Sequence, residues 1–279
     1  MYKVTSEIHT EGENVVDDSE KNHVTREFSF VYPPFLSEVK NETLKCDEDG
    51  DLIVNRPKKG SIVIEYSTST ELQLVGLQIW RGALLLADYV LSHPYLFKHK
   101  KILELGSGVG LTSIVASLLA NEVICTDVNV GGILELIGSN FERNESIVRS
   151  KFVITELNFF DSDWSPQLQE KLKGATVILA ADVIYDDDVT DGFVATLSKL
   201  FDENPSRIAY VALEKRYVFT IANLDSVAPM YEEFLRCIDR RKFNWTIEYI
   251  DLEFPQYFQY DRVKQMILMK IHPKKDSVT

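Results

Sequence analysis

Three groups of residues in this 279-residue chain have the types and spacing to do chemistry. The first is Ile102-Leu103-Glu104-Leu105-Gly106-Ser107-Gly108-Val109-Gly110-Leu111-Thr112, an apolar run that ends in three alternating glycines. A strand that enters such a turn just before a helix lets backbone N–H groups and the positive helix end approach a ligand closely. The second is Asp127, about 20 residues past the first glycine, at the end of the next apolar run. A carboxylate there can accept hydrogen bonds from both ribose hydroxyls of a nucleoside. The alternative is a merely tight turn, with Asp127 capping a helix. The third group is Ala180-Ala181-Asp182-Val183-Ile184-Tyr185. An acid at the carboxyl end of a buried strand, with a phenol three residues later, puts two polar groups at the mouth of a ligand crevice.

Two ligand classes use a glycine turn of this kind. A dinucleotide fingerprint requires glycine at its sixth position, and Leu111 stands there. Gly-x-Gly-x-Gly preceded by the acid Glu104 is instead the pattern of S-adenosylmethionine-dependent methyltransferases with a seven-stranded sheet. Taken with Asp182-Val183-Ile184-Tyr185, it resembles family 16 of the methyltransferase-like proteins, which are mainly protein-lysine methyltransferases. Gly76-Leu77-Gln78-Ile79-Trp80-Arg81-Gly82-Ala83 is similar to the Trp-bearing helix start that covers the cofactor in that family. Asp49-Gly50-Asp51-Leu52, Tyr185-Asp186-Asp187-Asp188 and Glu214-Lys215-Arg216 with Phe219-Thr220 resemble one branch of it.

The resemblance implies a Rossmann-like class I methyltransferase sheet of seven strands, with a small β-rich N-terminal segment. It implies S-adenosylmethionine as cofactor and S-adenosylhomocysteine as product. Trp80, Glu104, Gly106, Ser107, Gly108, Gly110, Asp127, Leu157, Asn158 and Ala181 would bind the cofactor, and Asp182 and Tyr185 would act at the lysine amine. Where the family often carries Asp-Trp after the third strand, this chain has Asn158-Phe159. Leu157 and Asn158 are candidates for adenine contacts, against the reading that Phe159 and Phe160 are simply core. The resemblance also implies a nucleic-acid-binding protein, the zinc-finger protein Kin, as the methylated partner, with a nuclear and cytoplasmic location. A monomer is expected.

Those residues need a scaffold. From about residue 72 short apolar strands alternate with helical periodicity, over 80–98 (helix), 101–105 (strand), 111–120 (helix), 122–126 (strand), 132–144 (helix), 152–157 and 175–181 (strands), 190–201 (helix) and 207–213 (strand). Such a rhythm predicts a parallel sheet covered on both faces. Runs at 244–252 and 263–271 predict an antiparallel hairpin closing one edge. The predicted units are a flexible acidic arm over 1–23, a β-rich segment over 24–71, the methyltransferase domain over 72–272 and a tail over 273–279. Asp47–Asp51 predicts a turn within the second unit.

Composition restricts the rest. A formal net charge of −13 opposes binding to phosphate backbones or anionic lipid and favours a basic partner. Residues 156–191 hold nine acids and two lysines. That is either a solvated face or a docking surface for a basic protein segment. The first twenty residues lack the basic-then-apolar layout of a secretory signal, and no apolar run reaches the ~20 residues of a spanning helix. Cys46, Cys125 and Cys237 are too far apart for a zinc or disulfide framework, and the five histidines show no ligand spacing, so no metal is expected. No Ser-His-Asp or Cys-His constellation competes. A methyltransferase acting on a small molecule or nucleic acid remains as a rival, although Asn-Pro-Pro-Tyr is absent. A non-catalytic binding module is the other rival.

Overall fold

A computed structural model describes residues 3–9, 11, 23–36, 49, 58–220 and 225–274. The Asp47–Asp51 turn, Leu52 and Cys46 lie outside them, Asp49 apart. β1 (His23–Val31) and β2 (Lys59–Ser67) form an antiparallel pair. Their alternation buries Val24, Phe28, Phe30, Ile62, Ile64 and Tyr66 on one side. This is the small β-rich segment.

The helical periodicity over 80–98 resolves into α1 (Arg81–Ser92) and α2 (Pro94–Phe97). Pro94 enforces the break, because it has no N–H to continue the helix. Then follow β3 (Lys101–Leu105), α3 (Leu111–Ala116), β4 (Glu122–Asp127), α4 (Ile133–Arg143) and β5 (Lys151–Glu156). After these come α5 (Pro166–Leu172), β6 (Val177–Ala181), α6 (Asp187–Glu203) and β7 (Ile208–Glu214). The chain continues through β8 (Val218–Thr220), β9 (Asp225–Val227), α7 (Pro229–Arg241), β10 (Trp245–Ile250) and β11 (Met266–Pro273).

Seven strands pair in the order β10-β11-β7-β6-β3-β4-β5. β3 to β7 are parallel, and β11 runs antiparallel to both β7 and β10. This is the expected mixed sheet with its closing hairpin. β3 starts in the middle, β4 and β5 build outward on one side, and β6 returns to the other. The direction therefore reverses beside β3, and a ligand crevice opens beyond the carboxyl ends at such a switch point.

Both sheet faces are covered, so the central strands read as nearly continuous apolar runs. Ile102 packs with α1, α3 and α4 on one face, while Leu103 and Leu105 pack with α5, α6 and α7 on the other. Leu72–Ser92 is long and apolar enough in composition to cross a membrane, but here it is a 3-10 turn, an extended stretch and α1, mostly buried.

Two elements depart from the sequence reading. α5 and α7 were not anticipated, because each buries only a narrow stripe, Leu172 in the first and Phe234 with Cys237 in the second. The arm over 1–23 is not free where it is described. Val4 pairs with Thr70, and Ser6 and Ile8 are buried. Its polar composition concealed this, since the contacts that hold it come from distant residues, Arg26 at 18 positions and Ser69, Thr70 and Gln78 at more than 60.

The β1–β2 pair is joined to α4 and the glycine turn by side chains rather than by a third strand. Asn140 of α4 accepts from Glu65 N at 2.9 Å and donates to Glu65 O at 3.0 Å. Asn144 does the same with Val63, at 2.9 and 2.7 Å. Helix spacing i, i+4 (about 6 Å) nearly matches two strand residues (about 6.7 Å), so two carboxamides satisfy the free edge of β2. Asn140 also donates to Val109 O at 2.9 Å, which ties the β1–β2 pair to the glycine turn.

Candidate active site

The glycine turn links β3 to α3, and its conformation explains its residues. Gly106, Gly108 and Gly110 all have positive φ (+65°, +54° and +85°), a region that side-chain-bearing residues rarely occupy. Space is the second constraint. A Cβ on Gly108 would stand 3.0 Å from Gly76 O, and one on Gly106 would stand 2.7 Å from Val183 Cγ1. The turn therefore touches both the segment before α1 and the segment after β6.

Between them lies a cavity of about 440 Å³. The turn forms its floor. One wall is Gln73–Trp80, another is Asp127–Val130 with Ile133, and the far side is Leu157–Phe160 with Ala181–Val183 and Tyr185. Of the residues expected to bind a cofactor, Trp80, Glu104, Gly106, Ser107, Gly108, Asp127, Leu157, Asn158 and Ala181 all line it, together with Asp182 and Tyr185. Gly110 does not. It is the N-cap of α3 in a left-handed conformation, packed beside Ile137, so it shapes the turn from behind.

Each acid has defined partners. Asp127 Oδ2 accepts from Gly108 N and Oδ1 from Val128 N, both at 2.8 Å. A carboxylate oxygen has two lone pairs, so each retains capacity for a ligand hydroxyl. Burial pushes Asp127 up to about 6, against the lowering effect of those two amides. Glu104 is 1% exposed and accepts from Ser113 Oγ. Burial pushes it up to about 7, opposed by hydroxyls of Ser113, Thr112 and Ser107. Burial likewise raises the Tyr185 phenol to about 12, helped by Asp127 and Asp186.

Asp182 stands at the carboxyl end of β6 with φ +52°. Its Oδ2 accepts from Gly82 N at 2.6 Å and its Oδ1 from Glu214 N at 3.0 Å. It thus holds the first turn of α1 against the end of β7. A Cβ on Gly82 would collide with that carboxylate at 2.4 Å, which accounts for the glycine beside Arg81. Burial pushes Asp182 up to about 6, partly offset by these amides and Arg216. An acid read only as a partner for an amine is therefore also a fastener of the cavity wall.

Trp80 is fixed from two sides. Its Nε1 donates to Val75 O at 3.0 Å, and the Arg216 guanidinium lies 4.8 Å over its ring. Asn158 Oδ1 accepts from Phe160 N at 3.0 Å, which sets the turn after β5. Sequence reasoning missed Val128, Asn129, Val130, Ile133 and Phe159 as lining. Their position directly after Asp127, or after Asn158, was the available signal.

A family model described as lysine methyltransferase matches residues 59–229, from β2 to the start of α7. The chain belongs to the lysine methyltransferase family. Human methyltransferase-like protein 22 is 34% identical over 266 residues, covering 86% of this chain and 63% of that protein. Human protein-lysine N-methyltransferase EEF2KMT is 26% identical over 247 residues, covering 85% of this chain and 72% of its own length. Among solved structures, the mitomycin 7-O-methyltransferase MmcR aligns at 13% identity and a TM-score of 0.47, over 69% of this chain and 54% of that one. The chain thus spans 63% of the length of the human methyltransferase-like protein 22 it matches. The branch features at Tyr185–Asp188 and Glu214–Arg216 lie in the matched region, on the carboxyl side of the sheet.

Proposed function

We propose that this chain is an S-adenosylmethionine-dependent protein-lysine N-methyltransferase. The observation that carries this reading is the single cavity in which the glycine turn, Asp127 and the Asp182–Tyr185 segment meet, in a chain of the lysine methyltransferase family. The residues fit the cofactor. Positive φ at Gly106 and Gly108 lays bare backbone along the cavity floor, and Asp127 keeps acceptor capacity for ribose hydroxyls. Leu157, Val128 and Ile133 provide apolar surface for a base, with Asn158 at its edge.

When bound, S-adenosylmethionine supplies a methyl group already activated on a sulfonium. The protein then has to hold a lysine Nζ in line with that methyl and keep water out. At pH 7 a free lysine is protonated, and freeing its lone pair costs about 4–5 kcal/mol. Trp80 and Phe159 line an apolar wall that disfavours the ammonium form. With the cofactor held there, the neutral amine would take the methyl and S-adenosylhomocysteine would be left, while the proton lost from Nζ would pass to solvent. Tyr185, raised to about 12, stays a neutral phenol and positions the amine rather than deprotonating it. Asp182 orients the amine through its remaining lone pairs while it holds the wall in place.

The proposed substrate is a basic protein. A groove lined by Asp161, Asp187 and Asp188, with Asp191 paired to Arg240 and Arg241 at its far side, shares Phe159 and Phe160 with the cavity, and complementary charge would steer a basic segment towards the mouth. We extend the proposal to the nucleic-acid-binding protein Kin as substrate, to a monomer, and to a nuclear and cytoplasmic location. Calorimetry should give micromolar binding of S-adenosylmethionine or S-adenosylhomocysteine and none of nicotinamide dinucleotides. Transfer of a radiolabelled methyl to lysine in a lysate, and to purified Kin, tests the substrate. Tight NAD binding without S-adenosylmethionine binding overturns the assignment, and label appearing only in nucleic acid overturns the substrate class.

A further inference from the structure

The cavity wall Gln78–Trp80 is extended chain between a 3-10 turn and α1, with no strand beside it in the seven-stranded sheet. Extended backbone of this kind needs partners for its polar groups. Gln78 N donates to Val75 O and Trp80 O accepts from Ala83 N, while Ile79 O and the Gln78 side chain are met by Val4 and Ser6, which do not line the cavity. Ser6 Oγ donates to Ile79 O, and Ser6 N donates to Gln78 Oε1 at 2.7 Å. The Gln78 carboxamide returns two bonds, to Val4 O at 3.0 Å and to Thr70 Oγ1 at 2.7 Å. Both Ser6 and Gln78 are 2% exposed, so these bonds are shielded from water.

The same segment grips the next two residues. Glu11 Oε1 accepts from Arg81 Nε at 2.9 Å, and its Oε2 accepts from Asp261 N at 3.0 Å. Arg81 is held on its other side by Glu214 at 2.8 Å, one residue before Lys215 and two before the Arg216 that covers Trp80. Glu7 pairs with that Arg216 at 3.3 Å. Val4, Ser6, Glu7 and Glu11 therefore reach Gln78, Ile79, Trp80 (through Arg216) and Arg81, four consecutive positions at the cavity wall.

We propose that Ser6 and Glu11 are positioning residues for the cofactor site: they clasp Gln78–Arg81 in the binding conformation. The inference rests on the cavity being the S-adenosylmethionine site. Docking of the clasp and binding of the cofactor are then linked, and linkage is reciprocal. If the clasp strengthens cofactor binding by some factor, the cofactor stabilises the docked clasp by the same factor.

The test uses the full chain. S-adenosylhomocysteine affinity is measured by calorimetry for the wild type and for the Ser6→Ala/Glu11→Ala double variant, together with the melting temperature of each free protein. The clasp predicts a Kd weakened roughly tenfold, well beyond what a small fall in melting temperature would produce. Hydrogen exchange on the wild type provides the second arm and needs no variant. The amides of Val4 (bonded to Thr70 O) and Ser6 do not line the cavity, yet both should exchange more slowly with S-adenosylhomocysteine bound. A Kd within twofold of wild type, or exchange at Val4 and Ser6 indifferent to the ligand, overturns the clasp and leaves the enzyme assignment standing. A wild type that binds no S-adenosylhomocysteine overturns both.

Discussion

The two ends of the central sheet treat buried charge in opposite ways. At the amino end, Arg207 is 2% exposed and makes four hydrogen bonds. It donates to Ala175 O at 2.9 Å, Leu200 O at 2.6 Å and Leu172 O at 3.1 Å, and pairs with Glu203 at 3.1 Å. It joins the end of α5, the end of α6 and the entries of β6 and β7. At the carboxyl end stand Glu104, Asp127 and Asp182, and among the described residues none of the three is in an ion pair. Each is held by amides or hydroxyls alone, and each is raised by burial. Arg207 is matched where only stability is at stake. Glu104, Asp127 and Asp182, unlike the paired Arg81 and Glu214 near them, are left short of partners where a ligand can complete the set, so the site is a local cost to the free protein.

Removing the matched charge should have the largest effect. Arg207→Ala leaves Ala175 O without its guanidinium donor and takes one of two donors from Leu172 O and Leu200 O. It is expected to cost about 2–4 kcal/mol of stability, on a scale of about 1–3 kcal/mol per unsatisfied buried group. A melting-temperature fall of roughly 5–15 °C should follow, with cofactor affinity of the folded fraction unchanged. Affinity lost in step with stability would erase the contrast between the two ends.

Asp127→Asn makes the converse change. Cofactor affinity should fall about 10- to 100-fold, the scale of lost charge-assisted hydrogen bonds (about 1–3 kcal/mol). The free protein should melt only slightly lower, since an asparagine can accept from just one of the Gly108 and Val128 amides while the cost of a buried carboxylate is removed. A marked drop in melting temperature would show that Asp127 is structural.

Asp182→Asn lies between these cases. An asparagine can accept from only one of the Gly82 and Glu214 amides, because its Nδ2 faces the other as a second donor. Methyl transfer should fall at least tenfold, about 1.4 kcal/mol, and the melting temperature should fall with it. Tyr185→Phe should cost less on both counts. Full activity in a stable Asp182→Asn protein would remove Asp182 from the mechanism.

The smallest effects are those of pH. Ribose hydroxyls favour the ionised Asp127, so cofactor Kd should be flat above about pH 7. It should rise towards tenfold per unit below about 6, where Asp127 takes up a proton. For stability the sign is reversed. The folded values of Glu104, Asp127 and Asp182 lie above their ordinary values near 4, so the folded state holds protons that the unfolded chain has released. Their contribution to stability is therefore largest near pH 4 and is lost as pH rises through 6 to 7. The free protein should melt higher at pH 5.5 than at pH 7.5, and Glu104→Gln should flatten the difference. A free protein that melts lower at pH 5.5, with no change in Glu104→Gln, would mean that these acids are compensated after all.

The parts of the fold legible in the sequence are those whose signal is local. Glycines at 106, 108 and 110 announce a turn of positive φ, and the wholly apolar Val177–Ala181 announces a strand buried on both faces. α5 was also locally signalled, by Ser165 capping and Pro166 at its first turn, but at seven residues it offers too little periodicity to stand out. α7 is charged around most of its surface, and its narrow apolar stripe reads as solvated chain.

Local signals in the chain were enough for the alternation of β3 to β7 with α1, α3, α4 and α6, for the glycine turn, and for Asp127 and Asp182 at strand ends. Those features follow from backbone sterics and from the period of apolar residues, which act over a few positions. Only the tertiary structure decided what each acid touches. Asp182 meets Gly82 across 100 positions, Ser6 meets Gln78 across 72, and Asn140 meets Glu65 across 75. A hydrogen bond between distant residues leaves no periodic trace in either segment. It exists only once the hydrophobic core has brought the two segments together, and excluding water there makes each of those polar groups depend on its partner.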